Sequence, residues 1–68
     1  MKHNAILRNV SFLEVGRSAV GDIYEDQQGR FPDGSQVVTS RVKDIKEADG
    51  NTYICTQNTT YLLESPSE

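Results

Sequence analysis

Apolar residues recur at every second position in short runs along this chain, and glycine-bearing turns separate the runs. The pattern is clearest in the second half. Phe31-Pro32-Asp33-Gly34 leads into Gln36-Val37-Val38-Thr39-Ser40-Arg41-Val42, and Asp49-Gly50 leads into Asn51-Thr52-Tyr53-Ile54-Cys55-Thr56. Each unit sets a turn signal beside β-branched and aromatic side chains, the sequence form of strands joined by tight hairpins. In the first turn, proline sets φ at the first corner and glycine takes the positive φ. The strand from Gln36 to Ile45 is the longest. Its alternation assigns Val38, Ser40, Val42 and Asp44 to an inward face, and Val37, Thr39, Arg41 and Lys43 to an outward one. After the hairpin at Glu47-Ala48-Asp49-Gly50, Tyr53 and Cys55 oppose Ile54. Gln57-Asn58 then turns into a last strand, Thr59 to Glu64, where Tyr61 and Leu63 oppose Leu62. Ser65-Pro66-Ser67-Glu68 reads as a disordered tail.

The first half is less regular. Between Ala5 and Val15, the residues Ile6, Val10 and Leu13 fall at helical spacing, with Asn4 as a cap and Gly16 as a stop. Read as a strand, Val10 and Phe12 face one way and Leu13 and Val15 the other, which requires a bulge between them. Both states fit; Val10, Phe12 and Val15 favour the bulged strand. Gly16-Arg17-Ser18 turns the chain into a strand from Ala19 to Glu25, where Val20 and Tyr24 oppose Ile23. Gly21 inside that strand signals a bulge or a close backbone approach. Gln27-Gln28-Gly29 is a further turn signal.

Five to six short strands with turns every eight to twelve residues predict an all-β fold, a small SH3-like barrel or a strongly curled antiparallel meander. Its 68 residues make one domain, taken as residues 1–64 with residues 65–68 as tail. A chain this short buries only about 60% of the surface its unfolded form exposes. Small domains often add a disulfide, a metal or a partner subunit. Cys55 is the only cysteine, so no disulfide forms within the chain, and His3 and Cys55 are too few soft ligands for a structural zinc. Good local packing or self-association is then the expected source of stability, in a monomer or a weak homodimer completed through an edge strand, with no membrane partner.

Charge and chemistry narrow the function. The net charge is −3, and the signs are segregated. Residues 18–36 hold Asp22, Glu25, Asp26 and Asp33 against Arg30; residues 37–46 hold Arg41, Lys43 and Lys46 against Asp44. The C-terminal part, residues 47–68, adds Glu47, Asp49, Glu64 and Glu68 without a base. An acidic total argues against broad affinity for nucleic acid and leaves room for a local basic patch. The free cysteine suits a reducing compartment, and the segment after Met1-Lys2-His3-Asn4 is broken by Arg8 and Asn9, unlike a secretory leader. A cytoplasmic location is expected. Catalysis needs a nucleophile with its base, paired carboxylates or a metal. His3 reads as a solvated terminal residue, Cys55 as a small buried apolar one, and Asp22, Glu25 and Asp26 as a solvated turn without calcium-loop spacing. The glycines are spaced as turn residues and form no phosphate loop. No enzyme activity, cofactor or metal is expected. The candidate interaction surface is Thr39, Arg41 and Lys43 on the outward strand face, with Arg30 and Phe31 ahead of it, a basic and aromatic set of the kind that holds nucleic acid. Tyr24 joins it as a tyrosine of the type favoured at protein contacts.

The pattern Phe31-x-Asp33-Gly34-x-x-Val37-Val38-Thr39-Ser40-x-Val42, followed by Thr56-x-Asn58-Thr59-x-Tyr61-x-Leu63, resembles short β-rich accessory proteins encoded by phages and prophages. The resemblance covers about the last 35 residues and carries over no site residue. It implies a protein of a mobile element that acts by binding. The expected function is a non-enzymatic module that binds a host or viral protein stoichiometrically; a nucleic-acid-binding regulator is the alternative.

Overall fold

The computed structural model describes residues 2–64, so the expected tail at 65–68 lies outside the described residues. Five strands form one sheet: β1 Ala5–Ser11, β2 Ser18–Tyr24, β3 Ser35–Ala48, β4 Asn51–Thr56 and β5 Thr60–Glu64. Successive strands pair antiparallel in chain order, and β1 closes on β5 to complete a barrel. That last pairing is parallel, with Ala5 opposite Tyr61 and Arg8 opposite Glu64. Five strands alternating in direction leave the first and fifth running the same way. The expected all-β meander barrel is thus present with five strands, and residues 5–11 are strand rather than helix.

The interior is small and mixed in size. Leu7, Ile23, Val42 and Ile54 are the largest fully buried side chains, and Ala5, Ala19, Val37 and Tyr61 fill the space between them. Val10, Leu13, Ile45 and Leu63 pack at the margins. At Gly21, β1 lies tight against β2. A methyl group there would lie 3.1 Å from Val10 Cγ2 and 3.2 Å from the Arg8 carbonyl oxygen. The close approach expected from the sequence is real, and it sits against a bulge in β1, where the register shifts between Arg8 and Ser11 and Asn9 takes φ 55°. The bulge lies earlier than the expected position after Phe12.

Strand β3 is the spine of the barrel. It pairs with β2 through Ser35–Arg41 and with β4 through Val42–Ala48, so its two halves belong to different walls. The register shifts twice, once in the Thr39–Ser40 region and once at Lys43. An inserted residue inverts the in–out alternation beyond it. The expected face assignment is therefore wrong for the first half, and again at Asp44, which lies past the second shift and is exposed. Val37 and Thr39 point inward and are buried, whereas Val38 is 69% exposed. Beyond the first shift Ser40 and Arg41 are both exposed, which returns Val42 to the interior as expected.

Thr39 makes that irregularity tolerable. Its hydroxyl accepts a hydrogen bond from the Ala19 amide at 3.0 Å and donates one to the Ser40 carbonyl at 2.7 Å. A backbone N–H that the shifted ladder would leave alone is thereby satisfied inside the barrel. The other connections follow the sequence signals. Asp49 and Gly50 both take positive φ (53° and 79°) in the two-residue β3–β4 hairpin, the geometry an Asp-Gly pair adopts most readily. At the β4–β5 hairpin, Thr56 and Thr59 exchange backbone and hydroxyl hydrogen bonds around Gln57-Asn58.

The outer wall carries its own apolar row. Register places Tyr53, Leu62, Ile6 and Tyr24 side by side across β4, β5, β1 and β2. Tyr53 and Ile6 are buried in spite of facing outward. The His3 ring lies 6.3 Å from that of Tyr53, and Asn4 is bonded to Thr60 through both its backbone and its side chain. His3 is accordingly half-buried against this row, not the solvated terminal residue expected.

Candidate interaction surface

The six residues selected from the sequence do not form one patch. Thr39 is 5% exposed and belongs to the interior, so its expected place on the outward face is corrected by the bulge that turns it in. Arg41 and Lys43 are exposed on the second stretch of β3. Arg30 and Phe31 lie in the β2–β3 loop before Ser35, which leaves roughly 20 Å of strand path between them and Arg41. Tyr24 is half-buried at that same loop end. The Arg8 guanidinium carbon stands 4.2 Å from its ring centroid, and Arg8 also pairs with Glu64.

Arg30 is committed to its own loop. The Asp26 carboxylate has no exposed surface; it accepts hydrogen bonds from the Arg30 side chain and from the Gln28 and Arg30 amides. Enclosure pushes the Asp26 carboxyl up, but the hydrogen bonds and the Arg30 charge outweigh it and hold the group below the ordinary aspartate range. The main cause on Arg30 is the same contact, which raises its pKa. A carboxyl with a lowered folded-state pKa binds protons more readily when unfolded. Its contribution is complete above the unfolded value of about 3.9 and is lost as pH falls through the folded value. Asp26→Asn is therefore expected to destabilise the fold at neutral pH and to flatten the loss of stability below pH 4. Urea midpoints measured from pH 7 to pH 3 check this; parallel curves for both proteins would refute it.

A different surface is left open. Phe12, Val15 and Val38 are 63%, 55% and 69% exposed, and Phe31 follows at 42%. Phe12 and Val15 lie on the β1–β2 loop, which is tied to the middle of β3 by hydrogen bonds between Gly16 and the Val42 carbonyl and between Val42 and the Arg17 carbonyl, 2.8 and 2.9 Å long. Val38 faces outward one rung along, opposite the half-buried Val20, and Arg41 stands opposite Ser18. Phe12 takes φ 61° and carries Arg17 over its ring at 5.5 Å. Sequence patterning missed Phe12, Val15 and Val38 because each is an ordinary strand or core residue by type. The one hint was that Phe12 and Leu13 sit where no single alternation accommodates both.

The described cations divide cleanly. Arg8 pairs with Glu64, Arg17 with Glu14 at 4.0 Å and Arg30 with Asp26. Lys2 apart, those in no ion pair are Arg41, Lys43 and Lys46, all exposed on β3. Among the described residues no three metal-type side chains converge, and Cys55 is half-buried on β4. Among the described residues no helix is long and apolar enough to cross a membrane.

Fold and surface together define a small closed β-barrel with an apolar and basic outer face along β3. Comparison with protein families, with curated proteins and with solved structures finds no match to this chain.

Proposed function

We propose that this protein is a non-enzymatic interaction module that binds another protein stoichiometrically, acting in the cytoplasm as an accessory protein of a phage or prophage. The observation that carries the binding role is Phe12. A bulky side chain in the left-handed region costs about 1–2 kcal/mol relative to a relaxed backbone, and strain of this kind concentrates at functional positions. At Phe12 the strained backbone delivers a ring to the solvent and not to the core. Val15 and Val38 are likewise exposed apolar side chains, and aromatic and apolar side chains left in solvent are the usual anchors of protein contacts.

Phe12→Asn tests this directly, since asparagine tolerates positive φ. The variant is expected to melt at the same temperature as the parent or higher, yet to lose a partner that the parent retains from a host lysate. Retention of the same partner by the variant, or of none by the parent, would overturn the proposal.

The alternative reading is a nucleic-acid-binding regulator, favoured by the unpaired cations of β3. It expects an affinity for oligonucleotides that falls steeply with salt. The separation of Arg30 and Phe31 from Arg41 and Lys43 removes the aromatic element from the group on which that reading first rested.

A further inference from the structure

We propose that the protein self-associates through the second half of β3, whose open edge pairs antiparallel with the same edge of a second copy. This goes beyond the partner-binding reading above, which rests on the β1–β2 loop. Strand β3 outruns its neighbour on one side. Its ladder with β2 ends at Ser18 and Arg41, and the bonds from Gly16 and Arg17 reach Val42. From Asp44 to Ala48 the described pairing is with β4 alone. The hairpin sets the direction of the backbone groups there. Ala48 and Asn51 flank a two-residue turn and so form a hydrogen-bonded pair. Bonds then alternate along the strand, which sends the amide and carbonyl groups of Ile45 and Glu47 away from β4. The contact at Ile45 agrees with this. Its amide donates to the neighbouring Asp44 carboxylate at 2.8 Å, a bond that an amide held in a ladder does not need. A row of unpaired backbone groups is a template for another strand.

Charge selects the occupant. Lys43, Asp44, Lys46 and Glu47 are exposed around the half-buried Ile45, and none of them belongs to a described ion pair. On β4, Asp44 and Lys46 stand opposite the uncharged Cys55 and Tyr53. Two copies of one strand that meet about a two-fold axis set one residue opposite itself. With Ile45 on the axis, Lys43 faces Glu47 of the other copy and Asp44 faces Lys46, twice over. Every charge meets its opposite, and the edge-directed Ile45 meets its own equivalent, as the ladder requires. No other centre does this. Lys43, Asp44, Lys46 or Glu47 on the axis would each meet its own charge. Ala48 there would set Glu47 against Asp49, and Val42 would set Lys43 against Arg41. Opposite charges across an antiparallel pair stabilise it, and like charges destabilise it. Lysines that only guard an edge would repel a second copy; here Asp44 and Glu47 answer them in mirrored order. A foreign strand would need the complement of Lys-Asp-Ile-Lys-Glu, which this chain itself supplies.

Sedimentation equilibrium of the intact protein over a concentration series tests the inference. An edge this short gives an interface at the weak end of the range. The mass is therefore expected to rise from that of one chain towards that of two only in concentrated solution, and less so at high salt. Asp44→Lys alone and Lys46→Asp alone should each stay monomeric, because each sets like charges opposite one another. The double variant carrying both should dimerise as the parent does, and an equal mixture of the two single variants should form a mixed dimer. Circular dichroism must show each variant folded; if one is not, Lys43→Glu and Glu47→Lys make an equivalent set under the same criteria. A parent that is monomeric at every concentration overturns the inference and leaves the edge to a strand of another protein. Dimerisation of either single variant at the parent's strength overturns it too, as does a folded double variant that stays monomeric or a mixture that forms no mixed dimer.

Discussion

Leu7→Ala and Ile54→Ala are each expected to remove most of the protein's stability. Both side chains are completely buried in the barrel interior. Truncating such a residue costs about 2–5 kcal/mol, the lost transfer energy plus the cavity that the surroundings do not fill. At about 0.05–0.15 kcal/mol per residue, a chain of this length holds only about 3–10 kcal/mol in total. The cavity is also hard to close, because every wall is fixed to two neighbours by hydrogen bonds around the ring. Urea denaturation followed by circular dichroism should show the midpoint at half its original value or lower, or no folded baseline. Val38→Ala, in the same sheet but exposed, is expected to change stability by less than about 0.5 kcal/mol. A large effect at Val38 would mean that β3 has been assigned the wrong face, and small effects at Leu7 and Ile54 would mean that these side chains do not fill the interior.

Thr39→Val should cost about 1–3 kcal/mol, the usual penalty for a buried donor left without its acceptor. Valine has nearly the shape of threonine, so the core volume is kept and only the hydroxyl is lost. The group stranded is the Ala19 amide, whose described partner is the Thr39 hydroxyl, and Ala19 is fully enclosed. Thr39→Ser keeps the oxygen and should retain most of the stability. The ordering of parent, serine variant and valine variant in thermal melts is therefore the measurement that counts. Equal stability of threonine and valine at this position would show that water or backbone movement satisfies Ala19 instead.

Thr39 also shows why some of the fold was legible in the sequence and some was not. Turns were legible because their chemistry is local: Asp49-Gly50 needs no distant partner to favour two positive φ values. The number of strands followed from the turns. The faces of β3 did not, because a bulge is specified by the strand opposite. Nothing between Val37 and Val42 announces that an extra residue must be absorbed; it shows only in the pairing with β2, where Ala19 alone faces the two residues Thr39 and Ser40. One inserted residue then exchanged the roles of Val37 and Val38. The candidate surface suffered for the same reason. Arg41 and Lys43 lie beyond the first shift and stay outside, while Thr39 lies within it and goes in. Arg30 was legible as a cation but not as a paired one, since its bond to Asp26 depends on the path of the loop.

The parallel pairing of β1 with β5 has a consequence for how the chain reaches this state. Ala5 and Tyr61 stand at opposite ends of the described chain, and every other strand contact joins neighbours in sequence. Joining chain ends this far apart carries the largest loop-closure cost in the molecule, so it belongs late in folding. During synthesis β1 through β4 can zip together as each hairpin leaves the ribosome, but the ring stays open until Thr60–Glu64 emerges. Until then β1 and β4 each present an unsatisfied edge, with Ile6 and Tyr53 uncovered beside them. A chain held open before β5 pairs would therefore be in its most adhesive form, and the pairing of β5 with β1 converts it to a closed one.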